Sequence, residues 1–272
     1  MKYFDAHCHI QFDAYDTDRD ELVSSMQDHE IGGLVVGVDW KSSQKAIALA
    51  ECHDHLWASV GLHPNSTHVQ PFDLAAYTKL AAHPKVRAIG ECGLDNYRPE
   101  DPRATNAKQR EVFEQHVQLA IDTDKPLMIH SRPAKGTQDA YRDLIEILTS
   151  YKREYGDQLR GDIHFFVGGI DEARSLIELG FTLSYTAVLT FARDYDDVVR
   201  FVPLDRLITE TDSPYVAPPP NRGRRNDPTA VTAVVESIAS IRGEDLTMVR
   251  DQLVTNAMRL FALNGTHHDR LP

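Results

Sequence analysis

The feature that most constrains the fold is a series of short apolar runs, rich in strand-forming residues, that recurs along the chain. Runs of this length bounded by turn signals are typical of buried β-strands. Eight such runs cover residues 3–7, 33–38, 57–62, 86–91, 126–130, 162–167, 181–186 and 206–211. Each is separated from the next by a stretch with helical features, so strands and helices are expected to alternate.

The intervening stretches carry apolar residues at helical spacing. One stripe runs from Phe113 through Val117 to Ile121, and another runs from Leu246 to Leu260. Strands that alternate with helices pair in parallel through crossover connections, and eight such units predict an α/β protein with a single (β/α)8 TIM barrel. A doubly wound open sheet is the alternative. Its dinucleotide-binding form is disfavoured, because no Gly-x-Gly-x-x-Gly segment follows a strand.

Length and composition agree with one globular domain. The chain has 272 residues, of which 42% are hydrophobic and 26% charged, and this excludes disordered, collagen-like and disulfide-scaffold proteins. Barrels of this class use about 200 to 250 residues as one unit. We therefore predict a barrel domain over residues 1–265 and a C-terminal tail over residues 266–272.

The charge balance is acidic, with 29 Lys and Arg against 41 Asp and Glu and a net charge of −12. Such a surface repels nucleic acid at long range, so a substrate that bears phosphate requires local positive charge or a bound metal. We expect a cytoplasmic protein without membrane association, because there is no signal-like segment and no run of 18 apolar residues. Cys8, Cys52 and Cys92 are expected to be reduced thiols, and Cys8 and Cys92 to be buried.

The first strand ends in Asp5-Ala6-His7-Cys8-His9. Residues two apart on a strand face the same side, so His7 and His9 are expected to point together into the barrel mouth. Two imidazoles on a rigid strand suit a divalent metal, and Asp5 is expected to orient one of the rings. Taken alone, the pair is equally compatible with two unrelated loop histidines.

Further residues of metal-binding type fall at the ends of other predicted strands. Glu91, His130 and Asp212 end the fourth, fifth and eighth runs, His164 lies inside the sixth, and His63 follows the third. The carboxyl ends of barrel strands form one face, where active sites are built. The pattern therefore predicts one polar cluster from residues far apart in sequence.

These segments resemble those of the TatD-type metal-dependent hydrolases and deoxyribonucleases of the amidohydrolase superfamily. The resemblance extends over nearly the whole chain. It depends on the segments Asp5-Ala6-His7-Cys8-His9, Val60-Gly61-Leu62-His63-Pro64, Ile89-Gly90-Glu91-Cys92-Gly93-Leu94-Asp95, His130-Ser131-Arg132, Glu210-Thr211-Asp212-Ser213-Pro214-Tyr215 and Arg222-Gly223-Arg224-Arg225-Asn226-Asp227-Pro228.

The resemblance implies two divalent metal ions, Mg²⁺, Zn²⁺, Mn²⁺ or similar. It assigns one ion to His7, His9, Glu91 and Asp212, and the other to Glu91, His130 and His164. It assigns substrate contacts to His63, Arg132, Arg222, Arg225 and Asn226. The chain departs from the family at Val167, where a small polar residue is common, at Pro133, where an acidic residue is common, and before Leu189, where a glycine is usual.

The expected activity is hydrolysis of DNA phosphodiester bonds, at single strands or strand ends, by a monomer or weak oligomer. Glu91 would bridge the metals, Asp212 would accept the proton of the attacking water, and His63 would neutralise developing charge. One alternative is a hydrolase of a small ester, lactone or cyclic amide, with an apolar pocket around Val167, Tyr185 and Phe191. Another is a non-catalytic metal-binding subunit.

Overall fold

The computed structural model describes residues 1–97 and 102–263 of the chain, so the predicted tail over 266–272 and the domain boundary at 265 lie outside the described residues. The strands are β1 Tyr3–Cys8, β2 Ile31–Val36, β3 Leu56–Val60, β4 Val86–Asp95, β5 Leu127–Arg132, β6 Gly161–His164, β7 Thr182–Tyr185 and β8 Leu207–Thr209. The helices are α1 Arg19–Asp28, α2 Trp40–Glu51, α3 Leu74–Ala81, α4 Pro102–Asp122, α5 Asp139–Tyr155, α6 Ile170–Glu178, α7 Asp196–Phe201, α8 Val231–Arg242 and α9 Leu246–Leu260.

The strands form one parallel sheet in sequence order from β1 to β8, which confirms the predicted barrel and excludes the open sheet. Closure comes from the residues that follow β8. The amide of Asp212 donates to the carbonyl of His7 over 2.9 Å, and the amide of His9 donates to the carbonyl of Ser213 over 2.8 Å. The eighth segment therefore meets the first at the carboxyl ends of the strands, where the predicted polar cluster lies.

The core has two parts. The larger lies between the sheet and the surrounding helices and contains the stripe predicted from Phe113 to Ile121. The smaller fills the barrel interior with side chains such as Phe4 and Met128, and Phe261, after α9, packs against it. Apolar side chains fill only part of the interior, and buried polar side chains occupy the rest.

Two strands change face just before they deliver predicted ligands. In β1, Phe4 and Ala6 belong to the interior cluster, whereas Cys8 belongs to the helix-facing core. Asp5 pairs with Gly33 and Cys8 pairs with Val35, so β1 contains one more residue than β2 over this stretch. The extra residue forms a β-bulge, after which the side chains of β1 alternate in the opposite sense. This bulge turns His7 and His9 inward, although Phe4 and Ala6 already point there.

Strand β4 has a similar bulge at Gly90. Its backbone has φ of +136°, and a Cβ at this position would lie 2.2 Å from the carbonyl oxygen of Met128. Only glycine accommodates this approach without strain. The bulge places Ala88 and Glu91 inside and Cys92 outside, so both Cys8 and Cys92 are buried as predicted.

All three cysteines are free thiols, as the sequence indicated. None of the helices in the described part of the chain has the length and apolar character that a transmembrane helix requires.

Candidate metal centre

The two histidines of β1 converge in the barrel mouth. His9 Nδ1 lies 2.9 Å from the carbonyl oxygen of Val36. Because a carbonyl oxygen only accepts, Nδ1 carries the proton and Nε2 keeps its lone pair. That Nε2 lies 3.1 Å from His7 Nε2, and both side chains are buried. Burial and the neighbouring His164 lower the pKa of His7 to about 4, so its ring is neutral and able to bind a cation.

Glu91 lies at the centre of the cluster, with its two oxygens directed at different sets of histidines. Oε2 is 3.3 Å from His7 Nε2 and 3.9 Å from His9 Nε2. Oε1 is 3.0 Å from His130 Nδ1 and 3.9 Å from His164 Nε2. Burial alone would raise the pKa of Glu91, but the surrounding imidazoles outweigh burial and hold that pKa well below its usual range. Glu91 is therefore a carboxylate.

Asp212 approaches the same space from the segment after β8. Its Oδ1 lies 3.6 Å from His9 Nε2 and 4.0 Å from His7 Nε2. The residue has a left-handed backbone with φ of +53°, a conformation that aspartate adopts more readily than most residues with a side chain. Hydrogen bonds on both sides fix it, since Thr211 donates to Asp5 and Ser213 accepts from His9.

The donor set fits a divalent cation. The ligand atoms of His7, His9 and Glu91 lie within 4.8 Å of one another, and so do those of His63, Glu91 and His130. Lone pairs and carboxylate charge point into shared space from fixed, buried side chains. This set of donors matches the imidazole and carboxylate chemistry of Zn²⁺, Mn²⁺ or Mg²⁺.

His164, the last residue of β6, is oriented by a buried glutamate to which the sequence analysis gave no role. Glu210 Oε1 lies 3.0 Å from His164 Nδ1 and accepts the amide of Phe165 over 2.7 Å. The carboxylates of Glu210 and Glu91 outweigh the effect of burial and raise the pKa of His164 to about 10. A carboxylate behind a ligand histidine fixes the ring and raises its basicity. The available signal was the acidic pair Glu210 and Asp212 at i and i+2.

A chain of buried polar groups continues behind Glu210. The Ser184 hydroxyl lies 2.7 Å from Glu210 Oε2 and 2.6 Å from Asp162 Oδ2. A hydroxyl has one proton, so it serves only one of these oxygens as donor, and the other carboxyl must be protonated. Burial and the charge of Glu210 raise the pKa of Asp162 to about 8, which identifies Asp162 as the neutral acid. The interior of the β6 to β8 side is therefore polar and internally paired.

His63 and His130 share the other side of the cluster. The amide of Asn65 donates to His63 Nδ1 over 3.1 Å, so in the neutral ring the proton is on Nε2, 3.3 Å from Glu91 Oε1. That nitrogen is a hydrogen-bond donor, which distinguishes His63 from a metal ligand. His130 Nε2 lies 3.4 Å from Asp95 Oδ2, and Asp95 also accepts from Asn65 Nδ2 over 2.9 Å.

His116 has a structural role next to the cluster. It is fully buried in α4. Its Nε2 accepts the amide of Leu62 over 3.0 Å, and its Nδ1 lies 2.7 Å from the carbonyl of Val112. Both partners require the neutral ring, and burial lowers the pKa of His116 to about 4. His116 thereby holds the backbone next to His63.

Asp5 has a different role from the predicted one. We expected its carboxylate to orient an imidazole ring. Instead it accepts the amide of His7 over 3.2 Å and both the amide and the hydroxyl of Thr211, over 2.9 and 2.5 Å. Asp5 therefore fixes the backbone between β1 and the segment after β8. His7 Nδ1 is buried and has no hydrogen-bond partner among the described residues.

A single cavity of about 1560 Å³ opens over the cluster. Five predicted site residues of the metal cluster line it directly, namely His9, Glu91, His130, His164 and Asp212. His63 and Arg132 line it as well, and the guanidinium of Arg132 stacks 4.0 Å from the ring centre of Tyr97. Two cations that the sequence analysis did not single out, Lys135 and Arg142, also line this cavity.

The other three predicted substrate contacts are placed elsewhere. Arg222 and Arg225 line a separate cavity of about 680 Å³. Arg225 forms a bidentate ion pair with Asp18, and Arg222 stacks 3.7 Å from the ring centre of Phe191. Asn226 is buried and donates to the carbonyl of Thr211 over 3.3 Å. In this geometry Arg225 and Asn226 support the segment after β8 and do not face the metal cluster.

The apolar pocket expected for a small-molecule hydrolase does not form. Val167 lines the main cavity and Phe191 lines the smaller one. Tyr185 is fully buried and packs against Phe166 in the helix-facing core. The three side chains therefore do not share a binding surface.

Comparison with known proteins agrees with the fold and with metal dependence. The family described as TatD related DNase matches residues 4–262. The "Uncharacterized metal-dependent hydrolase YabD" of Bacillus subtilis is 35% identical, over 96% of this chain and 99% of the relative. The "3'-5' ssDNA/RNA exonuclease TatD" of Cronobacter sakazakii is 30% identical, over 97% of this chain and 99% of the relative.

Among solved structures, the TatD homologue YJJV from Escherichia coli superposes with a TM-score of 0.86 at 24% identity, over 96% of this chain and 98% of the other. This likeness shows a common fold. Because the family match spans nearly all of the barrel and the relatives are covered almost end to end, the chain belongs to the TatD-related DNase family and is a metal-dependent hydrolase of ester bonds.

Proposed function

We propose that the protein is a deoxyribonuclease that hydrolyses phosphodiester bonds of single-stranded DNA or strand ends, with two divalent cations at the barrel mouth. The observation that carries this proposal is the position of Glu91. Its two oxygens face separate groups of imidazole nitrogens, at 3.3 Å from His7 and 3.0 Å from His130. A carboxylate in this position is suited to bridge two cations.

The family ligand set is complete in this chain. His7, His9, Glu91 and Asp212 would hold one cation, and Glu91, His130 and His164 would hold the other. When bound, divalent cations activate water for attack and stabilise the charge that develops on phosphoryl oxygens. Their identity and number are part of the proposal, as are the cytoplasmic location and the monomeric or weakly oligomeric state.

Asp212 is placed to accept the proton of the attacking water. Its side chain is 14% exposed, and it lines the cavity. Burial would raise the pKa of this carboxyl, but the neighbouring imidazole of His9 and the charge of His164 outweigh burial and lower the pKa, so Asp212 is ionised at neutral pH. A base that also lies at the cation site receives the proton close to where it is released.

His63 and Arg132 would stabilise negative charge on the substrate. The Nε2 proton of His63 points into the cavity beside Glu91, because Asn65 occupies Nδ1. Arg132 adds a permanent cation at the end of β5, stacked on Tyr97. Donors fixed before the substrate arrives stabilise developing charge without reorganisation.

The proposed substrate class has two supports. The Cronobacter sakazakii relative is named as an exonuclease of single-stranded DNA and RNA, and it is aligned over nearly its whole length. In addition, the cavity opens to solvent above the cluster and holds cations at its rim, which suits a charged polymer end better than a small neutral ester.

The test uses protein stripped of metal and then loaded separately with Mg²⁺, Mn²⁺ or Zn²⁺. Single-stranded DNA labelled at the 3′ or the 5′ end is the substrate, and an uncharged carboxyl ester is the comparison. We expect metal-dependent shortening of DNA and no comparable ester hydrolysis. Preferential ester hydrolysis, with intact DNA under every metal, would instead support the small-molecule alternative.

Variants connect the activity to the cluster. Glu91→Gln should lose bound metal from both positions in elemental analysis, and Asp212→Asn should lose hydrolysis of DNA while the barrel stays folded by circular dichroism. Glu154→Gln is the matched control, because Glu154 is exposed near the end of α5. Metal binding and activity unchanged in Glu91→Gln would contradict the proposed bridging role.

A further inference from the structure

The cavity over the metal cluster has a cationic side that the family ligand set does not explain. Arg132 ends β5, Lys135 lies in the loop that follows, and Arg142 lies in the first turns of α5. All three side chains are exposed and line the same cavity as His130 and Glu91. One βα connection therefore presents three positive charges to the space above the metal centre.

These cations are not neutralised within the described part of the chain. No carboxylate among the residues with described side chains lies within ion-pair distance of Arg132, Lys135 or Arg142. Several other surface cations are paired, as Arg160 is with Asp124 over 2.9 Å. An unpaired cation keeps its full charge for an anionic ligand, which matters in a protein with a net charge of −12.

The arginine-rich loop after β8 differs both in the pairing of its cations and in the cavity that they line. Arg225 is paired with Asp18, and Arg222 covers Phe191 in the smaller cavity. The family resemblance assigned substrate contacts to Arg222 and Arg225 in that loop. The structure instead places the uncompensated charge on the β5 side, where Arg132 follows the ligand His130 by two residues.

We propose that Lys135 and Arg142 bind backbone phosphates of the substrate that flank the scissile phosphodiester, so that the β5–α5 connection sets a preference for oligonucleotides over isolated phosphodiesters. This inference rests on the proposed nuclease function. Arg132, closest in sequence to His130, contacts the phosphate at the metal centre, and Lys135 and Arg142 contact its neighbours. Long side chains with compact or forked donors suit such contacts.

The test compares Lys135→Ala/Arg142→Ala with a control that removes the same charge elsewhere. The control is Lys79→Ala/Arg153→Ala, because both residues are exposed in the last turns of α3 and α5, at the opposite end of the barrel from the cavity. A third variant, Arg222→Ala/Arg224→Ala, removes charge from the smaller cavity. Two substrates are used, a mixed-sequence single-stranded oligonucleotide and bis(4-nitrophenyl) phosphate, which has one phosphate.

The expected result is a split between the two substrates. In Lys135→Ala/Arg142→Ala the KM for the oligonucleotide rises far more than the KM for bis(4-nitrophenyl) phosphate, with kcat for the oligonucleotide nearly constant. On a single strand, each phosphate contact adds about 0.7 to the slope of log affinity against log salt concentration. When the salt concentration rises fourfold, a variant that lacks two contacts should therefore lose about sevenfold less affinity than the wild type. Anisotropy of the labelled oligonucleotide, measured in a chelator, reports the same change in slope without catalysis.

The outcomes separate this inference from the nuclease proposal. If the metal-loaded wild type leaves the oligonucleotide intact, the proposed function fails. If the wild type cleaves it but Lys135→Ala/Arg142→Ala matches the control in KM ratio and salt slope, only this inference is overturned. The same applies if Arg222→Ala/Arg224→Ala, and not the β5-side variant, shows the loss.

Discussion

The clearest test of the metal centre concerns Glu210, which lies behind His164 and does not itself face the cavity. We compare Glu210→Ala, which removes the side chain, with Glu210→Gln, which keeps its shape and removes its charge. Glu210 is fully buried, and its Oε1 accepts the amide of Phe165 and faces Nδ1 of His164. Its Oε2 accepts the hydroxyl of Ser184.

The expected magnitudes follow from these contacts. Glu210→Ala leaves the amide of Phe165 without its partner, at about 1–3 kcal/mol, and removes the carboxylate that faces Nδ1 of His164, so the free energy of unfolding should fall by at least about 1–3 kcal/mol. The Ser184 hydroxyl is spared, because Asp162 lies 2.6 Å away. In Glu210→Gln the amide oxygen serves both partners of Oε1 and the amide nitrogen donates to Ser184, so the expected loss is only about 1 kcal/mol.

Metal affinity should behave differently from stability. Both variants lose the charge that raises the basicity of His164, and such losses weaken metal binding by about 10–100-fold. The assays are urea denaturation of the metal-free protein and competition with a fluorescent chelator. Glu210→Gln with wild-type metal affinity would refute the electrostatic role of Glu210. Glu210→Ala with wild-type stability would refute the buried network.

Three further predictions concern the support of the site. Burial lowers the pKa of His116 from its ordinary value of 6.5 to about 4, so the neutral ring stabilises the fold fully above pH 6.5. This stabilisation is lost as the pH falls from 6.5 toward 4. Between pH 7 and about pH 4.5, the unfolding free energy of the wild type should therefore drop by about 2–3 kcal/mol more than that of His116→Gln. The same drop in both proteins, measured by urea denaturation, would contradict this. Gly90→Ala should unfold at clearly lower urea and lose metal, because its Cβ would meet the backbone of β5 at 2.2 Å in a left-handed conformation. A normal midpoint for that variant would mean that β4 has no bulge there. Arg225→Ala should lower stability only slightly through loss of its exposed pair with Asp18, while the KM for DNA stays within twofold of the wild type. A large rise in KM would restore Arg225 as a substrate contact.

Much of the fold was predictable because its determinants are local. Apolar runs of strand length and helical stripes such as Phe113 to Ile121 are set by short-range periodicity, and alternation then leads to a parallel barrel. The structure confirms both, with strand ends displaced by a few residues. The convergence of His7, His9, Glu91, His130 and Asp212 also followed from placement at strand ends, since barrel topology brings those ends together.

What local pattern could not show is the phase of β1 and β4. Simple alternation places Phe4 and Ala6 on the side of the sheet opposite His7. The bulge after Asp5 resolves this conflict, and it exists only through pairing with β2. Glu210 was similarly hidden, because its partner Ser184 comes from another strand of the barrel.

The amino-acid sequence by itself determined the barrel, the acidic balance and the residues able to bind metal, because each depends on residue type and spacing. Only the tertiary structure decided which charges remain available to a substrate. Arg225, a substrate contact by resemblance, is paired with Asp18, whereas Lys135 and Arg142, for which the sequence predicted no role, line the cavity. The physical reason is that a side chain's charge is neutralised or left free by neighbours distant in the chain, and composition and local spacing carry no information about them.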